Sequence, residues 1–534
     1  MFCKKNNENI IFFLLYSLII FSFLYIKNSL FSEWSDILDQ DVTLIYNALL
    51  IGSNIPQEYL DHPAYTTIFL LNIFFKFGNF FNLIEIKNIE ELLNYSNKNV
   101  ALQQIHNFAQ AIHIAYSLVL ALLLKSFINL FLRDHLSSFI LSIIFVISPA
   151  FIFLFDIIRS EILSLIFFFL FYLCLDRYLN KSFIYIFFAG IFFTIALLAK
   201  VQIVIFICPL LIFFFLDNYK KDIKIEKYNI PQSLIIFLNI FLLIFIIYFI
   251  DNFFYTRIDK IVFIIFFIAL LFLFAYFDNK KLKPTHINLS LIVFFIGCIT
   301  IIFFLKTLSW LGITYFHPAL LDLITSPIHV MSNISTGYAT ASLDNYSFIL
   351  KIMEFFYQVL TTRDGVNTGI KFKFLLSKFN IFIYLISILM LLFYLKKKKY
   401  KKFFIIVILN ILITSIILIF NFRPYHFYDI YILPFQILLI SIIIREFDYK
   451  KICSLIILFV YILLNFTNIS AHLDQERASG WLNKKIIVNH KSNMNFICRK
   501  ENIINKSSYM RYWHRRYDEN FFNELCVDYF NKHK

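Results

Sequence analysis

The chain contains very little glycine and little charge for its length. Its 534 residues include nine glycines, and 16% of them are Asp, Glu, Lys or Arg, whereas soluble proteins carry about 25% charged residues. Glycine-rich phosphate loops and dinucleotide-binding fingerprints need closely spaced glycines, and the sequence has neither motif. The low charge excludes a soluble enzyme. The missing loops argue against an ATP-driven or NAD-linked activity within this chain.

Hydrophobic residues make up 60% of the chain, and they are grouped in blocks long enough to cross a hydrocarbon layer about 30 Å thick. This pattern predicts an all-α polytopic membrane protein. It excludes an outer-membrane barrel, whose strands alternate apolar and polar residues. Thirteen transmembrane helices are predicted, over residues 10–31, 106–124, 137–155, 162–178, 183–199, 201–216, 233–250, 260–277, 288–305, 381–395, 403–420, 430–444 and 452–466.

Residues 64–84 form one further apolar stretch, and the distribution of Lys and Arg decides whether it crosses. If it stays on one side, most basic residues of the short loops fall inside, including the run Lys396 to Lys399, as the positive-inside rule requires. If it crosses, the bias inverts. We therefore predict that residues 64–84 lie along the membrane surface or dip into it, and that the N-terminus is cytoplasmic.

This topology divides the chain into a membrane-embedded domain, residues 1–466, and a polar tail, residues 467–534. Two large loops, 32–105 and 306–380, are then outside together with the tail. The net charge of +15 is explained by basic cytoplasmic loops, so we predict no nucleic-acid partner. Membrane lipids are the expected surroundings.

Two of the seven cysteines, Cys498 and Cys526, lie in the outside tail. If the outside is an oxidising compartment, a disulfide between them would stabilise the tail. Two free thiols are the alternative, and the sequence leaves both open. No Cys and His spacing typical of a zinc site is present.

The first outside loop contains an acidic pair, Asp39 and Asp41, just beyond the first span. Two carboxylates one residue apart suit a divalent metal, a cationic partner or general-base chemistry. The alternative is that both acids interact favourably with the dipole at the start of a helix over residues 42–51. His62 and Pro63 follow in the same loop.

More ionisable and polar side chains lie at the outside ends of other spans. Such groups often only reach toward the lipid headgroups. Here, however, acids and bases converge on one face, an arrangement that suits an anionic phosphate together with a nucleophile that must be deprotonated. They are Asp156, Arg159 and Glu161 between the third and fourth spans, Lys200 between the fifth and sixth, and Arg423, Tyr425, His426 and Tyr428 before the twelfth.

Four of these stretches resemble the GT-C superfamily of integral-membrane glycosyltransferases. The similarity is to family 39, which includes protein O-mannosyltransferases and the lipid A aminoarabinose transferase. The stretches are the acidic pair with Tyr46, Gly52 and His62-Pro63; Arg159-Ser160-Glu161-Ile162-Leu163; Gly190 with Ala196 to Lys200; and Arg423-Pro424-Tyr425 with Leu433-Pro434.

Three positions depart from the family pattern. The acidic pair is Asp-x-Asp rather than adjacent Asp-Glu, Ala64 stands where a second Pro is usual, and Ala199 replaces a Thr. These departures leave the subfamily, and with it the sugar and the acceptor, open.

The resemblance implies transfer of a sugar from a polyprenyl-phosphate donor to a lipid, protein or polysaccharide acceptor, on the outer face of a bacterial inner membrane. Asp41, or else Asp39, would be the general base, and the pair could also hold a divalent metal. No other cofactor is expected. The remaining site residues would bind the substrates. Lys200 and Arg423 would hold the lipid phosphate, and Arg159 and Asp156 would orient these groups. His62 would position the acceptor, and Tyr425 would line the site beside Arg423.

Two rival functions remain. An O-antigen polymerase or ligase also has many spans and large outside loops, although such enzymes usually depend on outside Arg and His rather than on an acidic first loop. A transporter of lipid-linked intermediates would carry polar groups in the middle of its spans, whereas these spans are polar at one end.

Overall fold

The computed structural model describes residues 2–27, 41–57, 64–180, 184–200, 203, 284–316, 378–420 and 429–473. Within these ranges the chain forms helices joined by turns and has no strand, which confirms the all-α class. The helices are α1 (Phe2–Lys27), α2 (Asp41–Gly52), α3 (Tyr65–Phe80), α4 (Ile89–Asn94), α5 (Lys98–Leu132), α6 (His135–Val146), α7 (Pro149–Leu154), α8 (Ser160–Asn180), α9 (Ile184–Ala199), α10 (Pro284–Trp310), α11 (Lys378–Lys396), α12 (Tyr400–Phe420), α13 (Asp429–Ile444) and α14 (Lys450–Leu473).

Five of the described helices are long and apolar enough to cross a membrane. The qualifying segments are Glu8–Lys27, Val100–Leu132, Val293–Trp310, Lys378–Lys396 and Lys450–Ser470. Shorter apolar segments lie in α6, α9, α12 and α13. These lengths are compatible with an integral membrane protein. The predicted spans 233–250 and 260–277, and all of 201–216 except residue 203, lie outside the described residues.

The prediction of one continuous helix over residues 137–155 is wrong. The chain is helical to Val146 and starts a new helix, α7, at Pro149. Proline has no N–H to donate and is favoured in the first turn of a helix. The hydroxyl of Ser148 accepts a hydrogen bond from the Phe151 N–H at 3.2 Å, which caps α7. The apolar pattern runs unbroken through this junction, so hydrophobicity alone did not reveal it.

Helices α1 and α5 pack antiparallel. Near the start of α1, Asn9 accepts a hydrogen bond from the ammonium of Lys125 at 2.8 Å, and that ammonium lies 4.1 Å from the centre of the Phe12 ring. At the other end of α1, Lys27 contacts Asp156, whose carbonyl accepts a hydrogen bond from Gln110 of α5. This arrangement is the one expected if residues 64–84 do not cross between α1 and α5.

The opposite end of the bundle is held by basic side chains. Arg445 and Lys450 donate hydrogen bonds to the carbonyls of Phe131 and Leu132, at 3.4 Å and 3.5 Å, at the end of α5. Lys399 and Lys402 form ion pairs with Glu446. Three turns that are predicted to be cytoplasmic therefore lie together at the end of α5. They are far from the opposite end of the bundle, where Lys27 of α1 lies.

Helices α2, α3 and α4 form a small cap on the first half of α5. Their apolar side chains share a buried cluster with Ile105 and Ala109 of α5 and with Ile158 of the α7–α8 turn. The amide of Asn72 in α3 donates to the Ala48 carbonyl of α2 at 3.0 Å. The helix expected over residues 42–51 is present as α2.

Two glycines allow α9 and α10 to approach closely. A Cβ added to Gly190 would lie 2.0 Å from the carbonyl oxygen of Phe294, and one added to Gly297 would lie 2.2 Å from the carbonyl oxygen of Phe187. Any side chain at either position would force the helices apart. This contact brings α10 against the helix that ends beside Lys200.

Candidate functional site

A buried ion pair joins the start of α8 to the end of α9. The ammonium of Lys200 lies 2.9 Å from one carboxylate oxygen of Glu161, and the two side chains are only 2% and 3% exposed. Glu161 lies in the first turn of α8, where a negative charge interacts favourably with the helix dipole. Lys200 directly follows the last residue of α9. The sequence analysis named both residues at the ends of spans but did not pair them.

A second ion pair joins the end of α1 to the turn between α7 and α8. The Lys27 ammonium lies 2.8 Å and 2.7 Å from the two carboxylate oxygens of Asp156. The same ammonium donates to the Ile152 carbonyl at 3.1 Å and lies 5.0 Å from the centre of the Phe155 ring. Asp156 is 3% exposed, so this pair also is shielded from water.

Arg159 lies between the two pairs in the sequence and is itself buried, with 5% of its surface exposed. Its charge acts on Glu161 together with that of Lys200. We call Lys27, Asp156, Arg159, Glu161 and Lys200 the charged cluster. Within it, Lys27 pairs with Asp156 and Lys200 pairs with Glu161. Buried charges are costly unless they are paired, so the ion pairs stabilise the charged cluster, and its cations are the groups that could face an anionic ligand.

Helix α5 supports the turn that carries this cluster. Gln110 donates to the Asp156 carbonyl, His113 contacts the Leu154 carbonyl, and Ser117 donates to the Phe155 carbonyl, each at 3.2 Å. The Leu154 oxygen only accepts, so the Nε2 atom of His113 carries the proton. These three side chains are at most 2% exposed.

The cap formed by α2, α3 and α4 contacts the end of the bundle that carries the charged cluster. Thr66, in the first turn of α3, donates to the Ile195 carbonyl of α9 at 2.9 Å. Tyr65 packs in a buried cluster with Leu198, two residues before Lys200, and with Phe316, whose ring centre is 5.2 Å away. Farther along α3, Lys76 donates to the Ile313 carbonyl. Burial and the charge of Lys87 lower the pKa of Lys76.

Three of the predicted site residues therefore lie in one place: Asp156, Arg159 and Lys200. Asp41 is the first residue of α2, and the structure describes its backbone position only. The other predicted residues lie outside the described part of the chain, namely Asp39, His62, Arg423, Tyr425, Cys498 and Cys526. The three cysteines with described side chains, Cys174, Cys298 and Cys453, are free thiols.

Sequence reasoning missed Lys27, Gln110 and His113. Lys27 follows a long apolar run and resembled an ordinary headgroup anchor. Gln110 and His113 did carry a signal, because polar residues recur on one face of an otherwise apolar helix at His106, Gln110, His113 and Ser117. Intramembrane or near-membrane polar residues of this kind usually face protein rather than lipid.

Among the residues whose side chains are described, no three His, Cys, Asp or Glu groups gather as a metal site would require. The candidate metal ligands Asp39 and Asp41 are not in that set. No protein-family model, no curated protein and no solved structure matches this chain. The interpretation of the site therefore depends on its own residues and geometry.

Proposed function

We propose that the protein is an integral-membrane glycosyltransferase that moves a sugar from a polyprenyl-phosphate carrier to an acceptor. The acceptor is a lipid, a protein or a polysaccharide on the outer face of the inner membrane. The observation that supports this most is the charged cluster, which is buried at one end of an apolar helical bundle and beside a cap of short helices.

The cations of the charged cluster suit the chemistry of the leaving group. In an inverting transfer the acceptor oxygen attacks the anomeric carbon, and the bond from that carbon to the phosphate oxygen breaks. The polyprenyl phosphate leaves with the extra electron pair, so negative charge develops on its oxygen. Fixed cations in a site with little water stabilise such an anion more strongly than they would in bulk water.

We assign the phosphate to Lys200 and Arg423, with Arg159 as an orienting group. Lys200 and Arg159 are buried in the charged cluster, and Arg423 is added from the resemblance to the family. Glu161 would hold the Lys200 ammonium in place through the 2.9 Å contact. Asp156 would orient the cluster rather than contact the substrate, because both its carboxylate oxygens already contact Lys27.

We assign the role of general base, which removes the proton of the acceptor hydroxyl, to Asp41, with Asp39 as the second candidate. The acceptor hydroxyl loses its proton to this carboxylate as the new bond forms. Asp41 begins α2, and α2 packs in the same buried cluster as Ile158, the residue before Arg159. His62 would contact the acceptor, and Ala64, two residues later, is buried in that cluster as well.

The test is transfer from a polyprenyl-phosphate sugar by the purified, folded protein. Asp41→Asn keeps the size of the side chain but removes the base, so we expect transfer to fall by about 10²–10⁴-fold while donor binding persists. Asp36→Asn, earlier in the same loop, is the matched control and should be active. Full activity in both Asp41→Asn and Asp39→Asn would refute the assignment of the acidic pair.

Chelation distinguishes the two roles open to that pair. If Asp39 and Asp41 hold a divalent metal, EDTA abolishes transfer and added Mn²⁺ or Mg²⁺ restores it. If Asp41 acts as a base alone, EDTA has no effect. The donor is named by a separate measurement, mass spectrometry of lipid-linked sugars in cells with and without this gene, because the unused donor accumulates on deletion.

A further inference from the structure

Three side chains of α5 bind three successive backbone carbonyls, those of Leu154, Phe155 and Asp156. The donors, Gln110, His113 and Ser117, are spaced three and four residues apart, which places them on one face of the helix. They are buried, and they belong to no motif of the family resemblance. Their convergence on one short turn calls for a physical reason.

The reason lies in how α7 ends. This helix has only six residues and ends at Leu154, and α8 starts at Ser160. The last carbonyls of a helix lack intrahelical partners, and an unpaired carbonyl in a buried place is costly. The donors on α5 bind these carbonyls, and the Leu154 oxygen also accepts a longer hydrogen bond from the Ile157 N–H at 3.4 Å. Because each donor meets a different residue, they also fix the path of the backbone through the turn.

The turn they fix carries two members of the charged cluster. Asp156 has its backbone bound by Gln110 and its side chain bound by Lys27. Arg159 follows three residues later, and Glu161 two residues after that. Any shift of the turn would therefore change the distances among the charged groups at the ends of α1, α8 and α9.

We infer that Gln110, His113 and Ser117 are positioning residues, which set the charged cluster by holding the backbone of residues 154–156. His113 is the central one, because its imidazole donates to the carbonyl nearest the end of α7. The expected effect of these residues on sugar transfer rests on the proposed glycosyltransferase function. The hydrogen-bond geometry itself does not depend on that function.

The first experiment compares His113→Leu with His113→Gln in the purified protein. Gln has an amide N–H able to reach the Leu154 carbonyl, whereas Leu has no donor. We expect His113→Leu to lower kcat about 10- to 100-fold, by analogy with the loss of residues that orient metal ligands, with a smaller change in the KM for donor. His113→Gln should restore most of kcat.

Tyr16→Phe is the matched control. It removes one buried hydrogen bond, between Tyr16 and Ser142, at a site eleven residues along α1 from Lys27 and so about 16 Å away. We expect it to lower the melting temperature in detergent but to leave kcat near the wild-type value. If His113→Leu and Tyr16→Phe lower kcat equally, or if His113→Gln fails to rescue, the positioning role is refuted.

A second experiment needs no enzymatic activity, so it separates the failure of this inference from the failure of the proposed function. Lys27→Met breaks the ion pair with Asp156, and its effect on the melting temperature is measured with and without His113→Leu. If His113 holds Asp156 in place, the pair is already weakened in His113→Leu, so Lys27→Met should cost less there. Additive losses would refute the inference, whatever the transfer assay gives.

Discussion

At the scale of single residues, the Lys200–Glu161 pair decides how a phosphate site can be tested. Removing one partner of a buried pair leaves the other charge unpaired and typically costs about 3–5 kcal/mol of stability. A simple Lys200 variant would therefore lose activity through misfolding alone. The double variant Lys200→Met/Glu161→Gln removes both charges and should keep most of the stability.

We predict that this double variant still folds but uses the donor poorly. A hydrogen bond to a charged group is worth about 1.5–3 kcal/mol, or roughly 10- to 150-fold in binding, so the KM for polyprenyl-phosphate sugar should rise by that factor. Lys398→Ala, in the exposed basic turn, should leave KM unchanged. Equal donor kinetics in the two proteins would mean that Lys200 serves only to neutralise Glu161.

At the scale of elements, the glycine contact between α9 and α10 predicts a packing defect. In Gly190→Ala the new methyl group would meet the Phe294 carbonyl oxygen at 2.0 Å, so the helices must separate. Overpacking of this kind costs about 1–3 kcal/mol, measured as a lower melting temperature. Gly312→Asn is the control, because Gly312 has open space around it and a φ of +69° that Asn tolerates. Equal stability of both variants would argue against the close crossing.

The length of α5 makes a second prediction at this scale. Its 35 residues span about 52 Å, some 20 Å more than the hydrocarbon layer. Because its last turn lies with the basic turns that are predicted to be cytoplasmic, we expect the excess length to project beyond the opposite surface of the membrane. Val100 and Val119 are exposed to a similar degree, 45% and 43%, but only Val100 lies on the projecting part.

We therefore expect a water-soluble maleimide to label Val100→Cys rapidly and Val119→Cys hardly at all. Both substitutions are made in a protein whose native cysteines are replaced, and labelling of intact cells also reports the side on which Val100 lies. Thiol labelling needs the thiolate, which forms in water and is suppressed in lipid. Equal labelling of both positions would place the whole of α5 in one environment.

At the scale of the whole molecule, the charge distribution predicts the orientation in the membrane. Reporters fused after residues 100 and 480 should report an outside location, and those after 225 and 399 an inside one. The reason is the concentration of Lys and Arg in the loops predicted to be cytoplasmic. An inside location after residue 480 would reverse the orientation and remove the proposed site from the outer face.

How much of the fold and of the candidate site could be predicted from the sequence depends on how far apart in the chain the interacting residues are. Helices such as α9 and α11 lie within a few residues of the predicted spans 183–199 and 381–395, because burial in lipid needs only a local apolar run. The break at Ser148 depends on one capping hydroxyl and one proline, which the hydrophobic pattern conceals. The clustering of Asp156, Arg159 and Lys200 was predictable because the alternation of spans and loops places these residues at the same end of the bundle.

Their partners were harder to predict. Lys27 and Asp156 are 129 residues apart, and nothing local in either segment indicates the other. The same holds for His113 and Leu154, since a carbonyl leaves no mark in the sequence. Pairing of this kind depends on how the helices pack, which single-sequence patterns do not encode.

The separation of Lys27 and Asp156 also has a consequence for biosynthesis. At about 5–20 residues per second, the ribosome needs roughly 6 to 26 s to extend the chain from Lys27 to Asp156, 129 residues later. Until then the side-chain ammonium of Lys27 cannot pair with Asp156, because Asp156 has not yet been synthesised. The ion pair can therefore form only after the turn between α7 and α8 has been synthesised, so the final packing of α1 is reached later than the synthesis of α1 itself.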